Sequence, residues 1–153
     1  MPYCTLAEIV KRIPEKVLIA LTDDEDLNPA AIDPADPDCA KIIERLDGAI
    51  ADADATVDAY CQGRYPLPLS PVPPKIRQIS ADIAAYNIHS RGEQKIPEVI
   101  TDRNKWAVRF LEKVLSGEIG LGVRTPEKSS ADLPLATGTA ADRVFSRQKL
   151  KHF

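Results

Sequence analysis

The sequence predicts an all-α fold: a small bundle of four to five helices with an extended, flexible C-terminal tail. Three observations carry this expectation. Apolar residues recur in steps of three and four along separate windows, as amphipathic helices require. The 13 prolines and 7 glycines fall largely between those windows, where they punctuate helices and forbid central strands. Beyond Gly117 the apolar periodicity stops and Gly120, Gly122, Pro126, Ser129, Ser130, Pro134 and Gly138 dominate, a linker composition. With 153 residues the chain has the size of one domain. It divides into a helical bundle over 1–117 and a flexible extension over 118–153.

The first helix opens at Thr5-Leu6-Ala7-Glu8, a capping box in which the Glu8 carboxylate can reach back to the Thr5 amide. It should run to about Arg12. Pro14 suits the first turn of a second helix, ending near Leu21, with Ile9, Ile13, Val17 and Leu21 on one face. Residues 22–37 read as loop, because Pro29, Pro34 and Pro37 alternate with acids. A long helix follows from about Cys39 to Cys61, roughly 35 Å at 1.5 Å per residue. Ile42, Ile43, Leu46, Ile50, Ala53, Val57 and Tyr60 line its core face, while Asp47, Asp54 and Asp58 mark a solvated one. Gly63 stands where a helix that has just ended favours a positive φ. Pro66, Pro68, Pro71 and Pro73 then predict an extended, polyproline-like exit. Pro74 starts the next helix, to about Ser90, with Ile76, Ile79, Ile83 and Tyr86 in register. Pro97 starts the last, to Ser116. Val99, Arg103, Trp106, Phe110 and Val114 fall on one side of it, and Ile100, Ala107, Leu111 and Leu115 beside them.

The composition is that of an ordinary globular chain: 44% hydrophobic, 28% charged and a formal charge of −3, with no overall pull toward nucleic acid or anionic membrane. The charge is unevenly placed. Residues 22–38 hold Asp23, Asp24, Glu25 and Asp26 with further acids and no base, whereas Arg143, Arg147, Lys149 and Lys151 crowd the C-terminus. There Val144, Phe145, Leu150 and Phe153 interleave with the bases, a pattern that orders on docking to a partner. No secretory leader or membrane span is read, and Cys4, Cys39 and Cys61 have unrelated spacings that fit free thiols in a reducing cytoplasm.

No reaction chemistry assembles from the pattern. Asp54 and Asp58 share a helical face, but no Glu-x-x-His accompanies them, as carboxylate metal sites in bundles require. His89 and His152 stand alone, and His89 fits a helix end, where its protonated form meets the dipole favourably. A cysteine on a helix flank, such as Cys61, is simply packed. The run GEIGLG (117–122) follows a helix and lacks the phosphate-cradling pattern. The bases on the last two helices alternate with acids, so a DNA stripe is not formed. The sequence therefore predicts no enzyme, no metal and no cofactor. Arg64, Tyr65, Pro66 and Pro68 are expected to present a rigid arm to a neighbour at low entropic cost.

The ordered motifs point further. Tyr3-Cys4-Thr5-Leu6, Arg12-Ile13-Pro14-Glu15 and Leu21-Thr22-Asp23-Asp24 are followed by the Ala49 to Ala55 helix, Asp58-Ala59-Tyr60 and Gly63-Arg64-Tyr65. Leu67-Pro68-Leu69, Asp82-Ile83-Ala84, Pro97-Glu98-Val99 and Arg143-Val144-Phe145-Ser146-Arg147 complete the order. Over nearly its full length the chain resembles the Mu-like bacteriophage and prophage family of small head-tail joining proteins. That resemblance implies a structural, non-enzymatic head-tail connector, made in the host cytoplasm and located in the neck of the virion. Its partners would be further copies of itself in a dodecameric ring matching the portal, the portal protein, and a tail terminator or neck protein. Genomic DNA would pass through the channel without sequence-specific binding, and no membrane would be involved. Arg143, Val144, Phe145, Arg147, Leu150 and Phe153 would wedge into the portal. The acidic loop at Asp23, Asp24, Glu25 and Asp26 would line the channel or receive a neighbour's basic tail. The competing expectation is a small phage-encoded regulatory or DNA-binding protein, which calls for a helix-turn-helix with a basic second helix that the sequence does not display.

Overall fold

A computed structural model describes residues 2–92 and 94–123. These residues form five α-helices and no strand: α1 (Leu6–Val10), α2 (Glu15–Thr22), α3 (Ala40–Cys61), α4 (Pro74–Ser90) and α5 (Glu98–Ser116), with a 3₁₀ turn at Pro37–Cys39 leading into α3. The long helices α3, α4 and α5 pack on one another, and α1 and α2 close one side of the group.

Local chemistry sets the boundaries. The Glu8 carboxylate accepts from the Thr5 N–H at 2.9 Å, as the capping box requires. The Asp36 side chain accepts from the Asp38 N–H at 3.0 Å at the entry to α3. Pro74 occupies the first turn of α4, where its missing N–H costs nothing. Gly117 ends α5 with φ +88°, and the Arg64 guanidinium lies where a Cβ would sit, so a larger residue there is strained in its backbone and displaces Arg64.

Burial corrects several expected faces. On α2 the inward residues are Leu18, Ile19 and Thr22, while Val17 is exposed, because the break at Pro14 rotates α2 relative to α1. On α3 the buried row is Ile42, Leu46, Ala49, Ile50, Ala53, Val57 and Cys61, with Ile43 and Tyr60 at its margin. Gly63 lies in a turn without a positive φ. The proline exit is not one straight polyproline strut: it bends at 67–68 and again at 70–71, where the Leu67–Pro68 and Ser70–Pro71 peptide bonds are cis. The packed unit also runs past Gly117, with Ile119, Leu121 and Val123 resting on the core.

Two of the three acids expected to be solvated on α3 are structural, while Asp47 is exposed as expected. The Asp54 carboxylate accepts from the Tyr3 N–H at 2.9 Å and from the Ser80 hydroxyl at 2.6 Å. The Tyr3 hydroxyl donates to Asp58 and accepts from the Leu69 N–H at 3.2 Å. One tyrosine thereby joins the N-terminal segment, α3 and the proline exit, while Asp54 adds α4. A second link is the Arg12–Asp82 ion pair at 2.7 Å between the end of α1 and α4. No buried side-chain nitrogen or oxygen among the described residues lacks a partner.

Burial, and next the bond to Asp58, push the Tyr3 phenol up to about 12. Folding thus favours the protonated phenol, a contribution fully present below pH 10 and lost as pH rises toward 12. Tyr3→Phe leaves Asp58 and the Leu69 amide without this partner and should cost about 1–3 kcal/mol in urea unfolding at neutral pH. The variant should also lose the part of the alkaline stability decline that belongs to Tyr3. Unchanged stability would show that the hydroxyl joins nothing of consequence.

Candidate functional site

Of the four residues expected to form an outward arm, Arg64 and Tyr65 are folded inward. Tyr65 is only 4% exposed, and its hydroxyl accepts from the Leu121 N–H at 3.0 Å. Arg64 donates to the Val114 carbonyl at 3.1 Å. The Val114 carbonyl also accepts the Gly117 N–H at 3.2 Å, and the guanidinium adds a second donor there while matching the negative end of the helix dipole. Arg64 and Tyr65 therefore staple the α3 exit to the end of α5, whereas Pro66 and Pro68 remain exposed on the loop.

The acidic loop is drawn onto the bundle as well. Glu25 makes a two-pronged contact with Arg45, at 2.7 and 2.8 Å, and pairs with Lys41 at 3.1 Å. Asp24 bonds to Arg91 at 2.9 Å. Asp23 accepts from the Leu27 and Asn28 N–H groups at 3.1 and 2.6 Å, shaping the turn that leaves α2. Asp26, in a left-handed conformation, has no ion-pair partner among the described residues. Arg45 and Arg91 gave no sequence signal of this role, since they lie about 20 and 67 residues from the acids they hold. Arg143, Val144, Phe145, Arg147, Leu150 and Phe153 lie outside the described residues.

Among the described residues, the outer face of α5 is left unpartnered. The sequence places two apolar rows on this helix, and the fold buries one: Ile100, Ala107, Leu111 and Val114. Val114 belongs to the core and Leu115 is 49% exposed, the reverse of their expected neighbours. In the other row Val99 is 60% and Trp106 73% exposed, with Phe110 half-buried beside them. The chain's single tryptophan thus faces outward. Two depressions flank it. One, of 470 Å³, lies against α4 and is bordered by Lys75, Gln78, Asp102 and Arg103. The other, of 300 Å³, is lined by Trp106, Arg109, Phe110, Lys113 and Ile119. Lys75 holds its ammonium 5.8 Å from the centre of the Phe110 ring, a cation–π distance. Exposed tryptophan flanked by arginines is the composition of binding hot spots, and a contiguous apolar patch of this kind marks an interaction surface.

Nothing comparable is arranged for catalysis among the described residues. All three cysteines are buried free thiols. Burial, then Asp58, raises Cys61 to about 11, and burial raises Cys4, so neither is a thiolate at neutral pH. His89 is buried and its pKa is lowered by that burial. This opposes the protonated helix-end role expected for it. No three His, Cys, Asp or Glu side chains among the described residues are grouped to hold a metal ion, and no described helix is long and apolar enough to cross a membrane.

Comparison with known proteins gives a consistent result. The profile of the family described as "Bacteriophage Mu, Gp36" matches residues 3–136. The chain is 34% identical over 110 residues to "Mu-like prophage FluMu protein gp36" of Haemophilus influenzae, which covers 71% of this chain and 75% of that protein. It is 31% identical over 102 residues to "Gene product J" of Escherichia phage Mu, covering 66% of this chain and 70% of the phage protein.

The contact with Arg45, and then Lys41, holds the Glu25 carboxyl down at about 2. A depressed carboxyl stabilises the fold above its unfolded value of 4.5, and that contribution is lost as pH falls toward 2. NMR titration should find Glu25 ionised well below pH 4, and Glu25→Gln should loosen the 23–28 loop, read as faster amide exchange at Leu27 and Asn28. An ordinary Glu25 titration with unchanged exchange would mean that the acids do not anchor the loop.

Proposed function

Because this chain belongs to the Mu-like phage and prophage family described as "Bacteriophage Mu, Gp36", we propose that it is a structural head-tail connector of a tailed phage or prophage particle. In this reading it has no enzymatic activity and needs no cofactor. Copies form a ring, dodecameric by analogy with the portal, that sits in the virion neck between the portal protein and a tail terminator or neck protein. Genomic DNA passes through the ring without being read.

The observation that carries the reading is the exposure of Val99, Arg103 and Trp106, with Phe110 half-buried beside them, on a helix whose adjacent row is buried. A rigid bundle that spends its only tryptophan on its surface is built to dock. The internal ties at Tyr3, Asp54 and Arg64 serve the same end, since a preorganised brick loses little entropy on assembly. The acidic loop supports the ring less directly than its sequence implied, because Asp23, Asp24 and Glu25 already have partners in their own chain. The regulatory or DNA-binding alternative gains no support. Several bases of α4 and α5 are spent on neighbouring acids, as in Arg77–Glu8 at 3.7 Å, Arg91–Asp24 at 2.9 Å and Lys105–Asp102 at 3.4 Å.

A stop codon in this gene should leave the encoding phage with separate heads and tails and no joined particles, as seen by negative-stain electron microscopy. Complementation with the full chain should restore joining. A chain lacking 143–153 should fold, judged by circular dichroism, yet fail to attach to portal-bearing heads. Normal tailed particles in the absence of the protein would contradict the connector reading, and undiminished attachment by the shortened chain would contradict the role given to the tail.

A further inference from the structure

The α5 row is uncovered among the described residues, and the same molecule carries a groove of opposite charge. Between the N-terminal segment and the outer side of α3 runs an open groove of 720 Å³. Asp47, Asp54 and Asp58 stand along it over a floor that includes Leu6, Ala51 and Ala55, and no lysine or arginine lines it. The small side chains at 51 and 55 leave room for a bulky ring, and Asp47 is exposed. On α5, Trp106 and Phe110 supply the bulk and Arg109 supplies positive charge, with Lys113, 3.8 Å from the Glu118 carboxylate, beside it. The lengths also agree. Asp47 to Asp58 rises about 16 Å along α3, and Arg103 to Lys113 about 15 Å along α5, at 1.5 Å per residue.

We propose that the Trp106–Phe110 ridge of one copy docks into the Asp47–Asp58 groove of a second copy, making a head-to-tail contact. The two surfaces share no residue. A copy that gives its ridge to one neighbour therefore keeps its groove free for another, which is the condition for a closed ring or a filament. Charge selects this arrangement over its alternative. A two-fold contact of ridge on ridge sets Arg109 of both copies against each other, whereas ridge on groove sets it against carboxylates. The contact deepens the connector reading by naming how copies meet, and it rests on that reading for its place in the virion alone.

The test uses the full chain and sedimentation velocity at up to about 1 mM, the weak limit of specific association. Wild-type protein should associate in a concentration- and salt-dependent manner. Trp106→Glu, at an exposed position, should weaken association about thirtyfold or more with an unchanged circular dichroism spectrum. Trp106→Ser should do the same without adding charge. Asp47→Arg and Arg109→Glu should each impair association, and an equimolar mixture of the two should restore it, because both contacts in an alternating assembly then pair opposite charges. A wild-type chain that stays monomeric throughout, or association indifferent to Trp106, overturns the proposal. Loss in the single variants without recovery in the mixture assigns the ridge to another occupant and overturns the groove. Association that vanishes only on removal of 124–153 assigns the contact to that segment and overturns it as well. Each of these failures leaves the connector reading standing, since presence in the neck is measured on particles; absence from particles with an intact charge swap would instead fail that reading and keep this contact.

Discussion

Two carboxylates on one helix, Asp54 and Asp58, determine how the rest of the molecule is arranged around α3. Asp54 takes the Tyr3 amide and the Ser80 hydroxyl, and Asp58 takes the Tyr3 phenol, which in turn receives the Leu69 amide. The N-terminal segment, the proline exit and α4 are thereby tied to the same two turns of α3. A half-buried polar network of this kind is costly when incomplete and specific when complete, and here every buried polar side-chain atom described has a partner. With α4 placed, α5 packs through Ile100, Ala107, Leu111 and Val114 and is clamped at its end by Arg64. Among the described residues the Trp106 row has no further neighbour. The exposure of the Trp106 row thus follows from how the other described elements are fixed.

Much of this was legible in the sequence. Steps of three and four, the capping box at Thr5, Pro74 at a helix start and Gly117 at a helix stop place the helices to within about one or two residues, because those signals are local. Side-chain partners across the fold are not local. Nothing in the spacing of Asp54 and Asp58 distinguishes a solvated pair from one that holds Tyr3, 51 and 55 residues away. Likewise Arg64 and Tyr65 read as an exposed arm because they precede prolines. The carbonyl at the end of α5 that draws Arg64 in becomes visible only once the helices are packed.

The exposed row of α5 was half legible. Val99, Arg103, Trp106 and Phe110 form a row in the sequence, but periodicity does not say which of two adjacent rows faces the core. The signal was the width of the apolar arc: two full rows exceed what α3 and α4 can cover in a chain of this size. Surplus apolar surface on a helix whose inner row is complete is itself a sign of a partner. The acidic loop taught the converse. Its charge run looked available to a neighbour, and Arg45, Lys41 and Arg91 had already engaged it.

In the proposed reading the molecule functions through shape and surface, with the polar ties at Tyr3, Asp54 and Asp58 holding that shape. The most direct measurement is an electron cryomicroscopy reconstruction of the neck of the phage particle that encodes it. The account predicts a ring of copies of this chain between portal and tail, with Trp106 buried in a contact. A neck density that this bundle does not fit, in particles free of the protein, would contradict it.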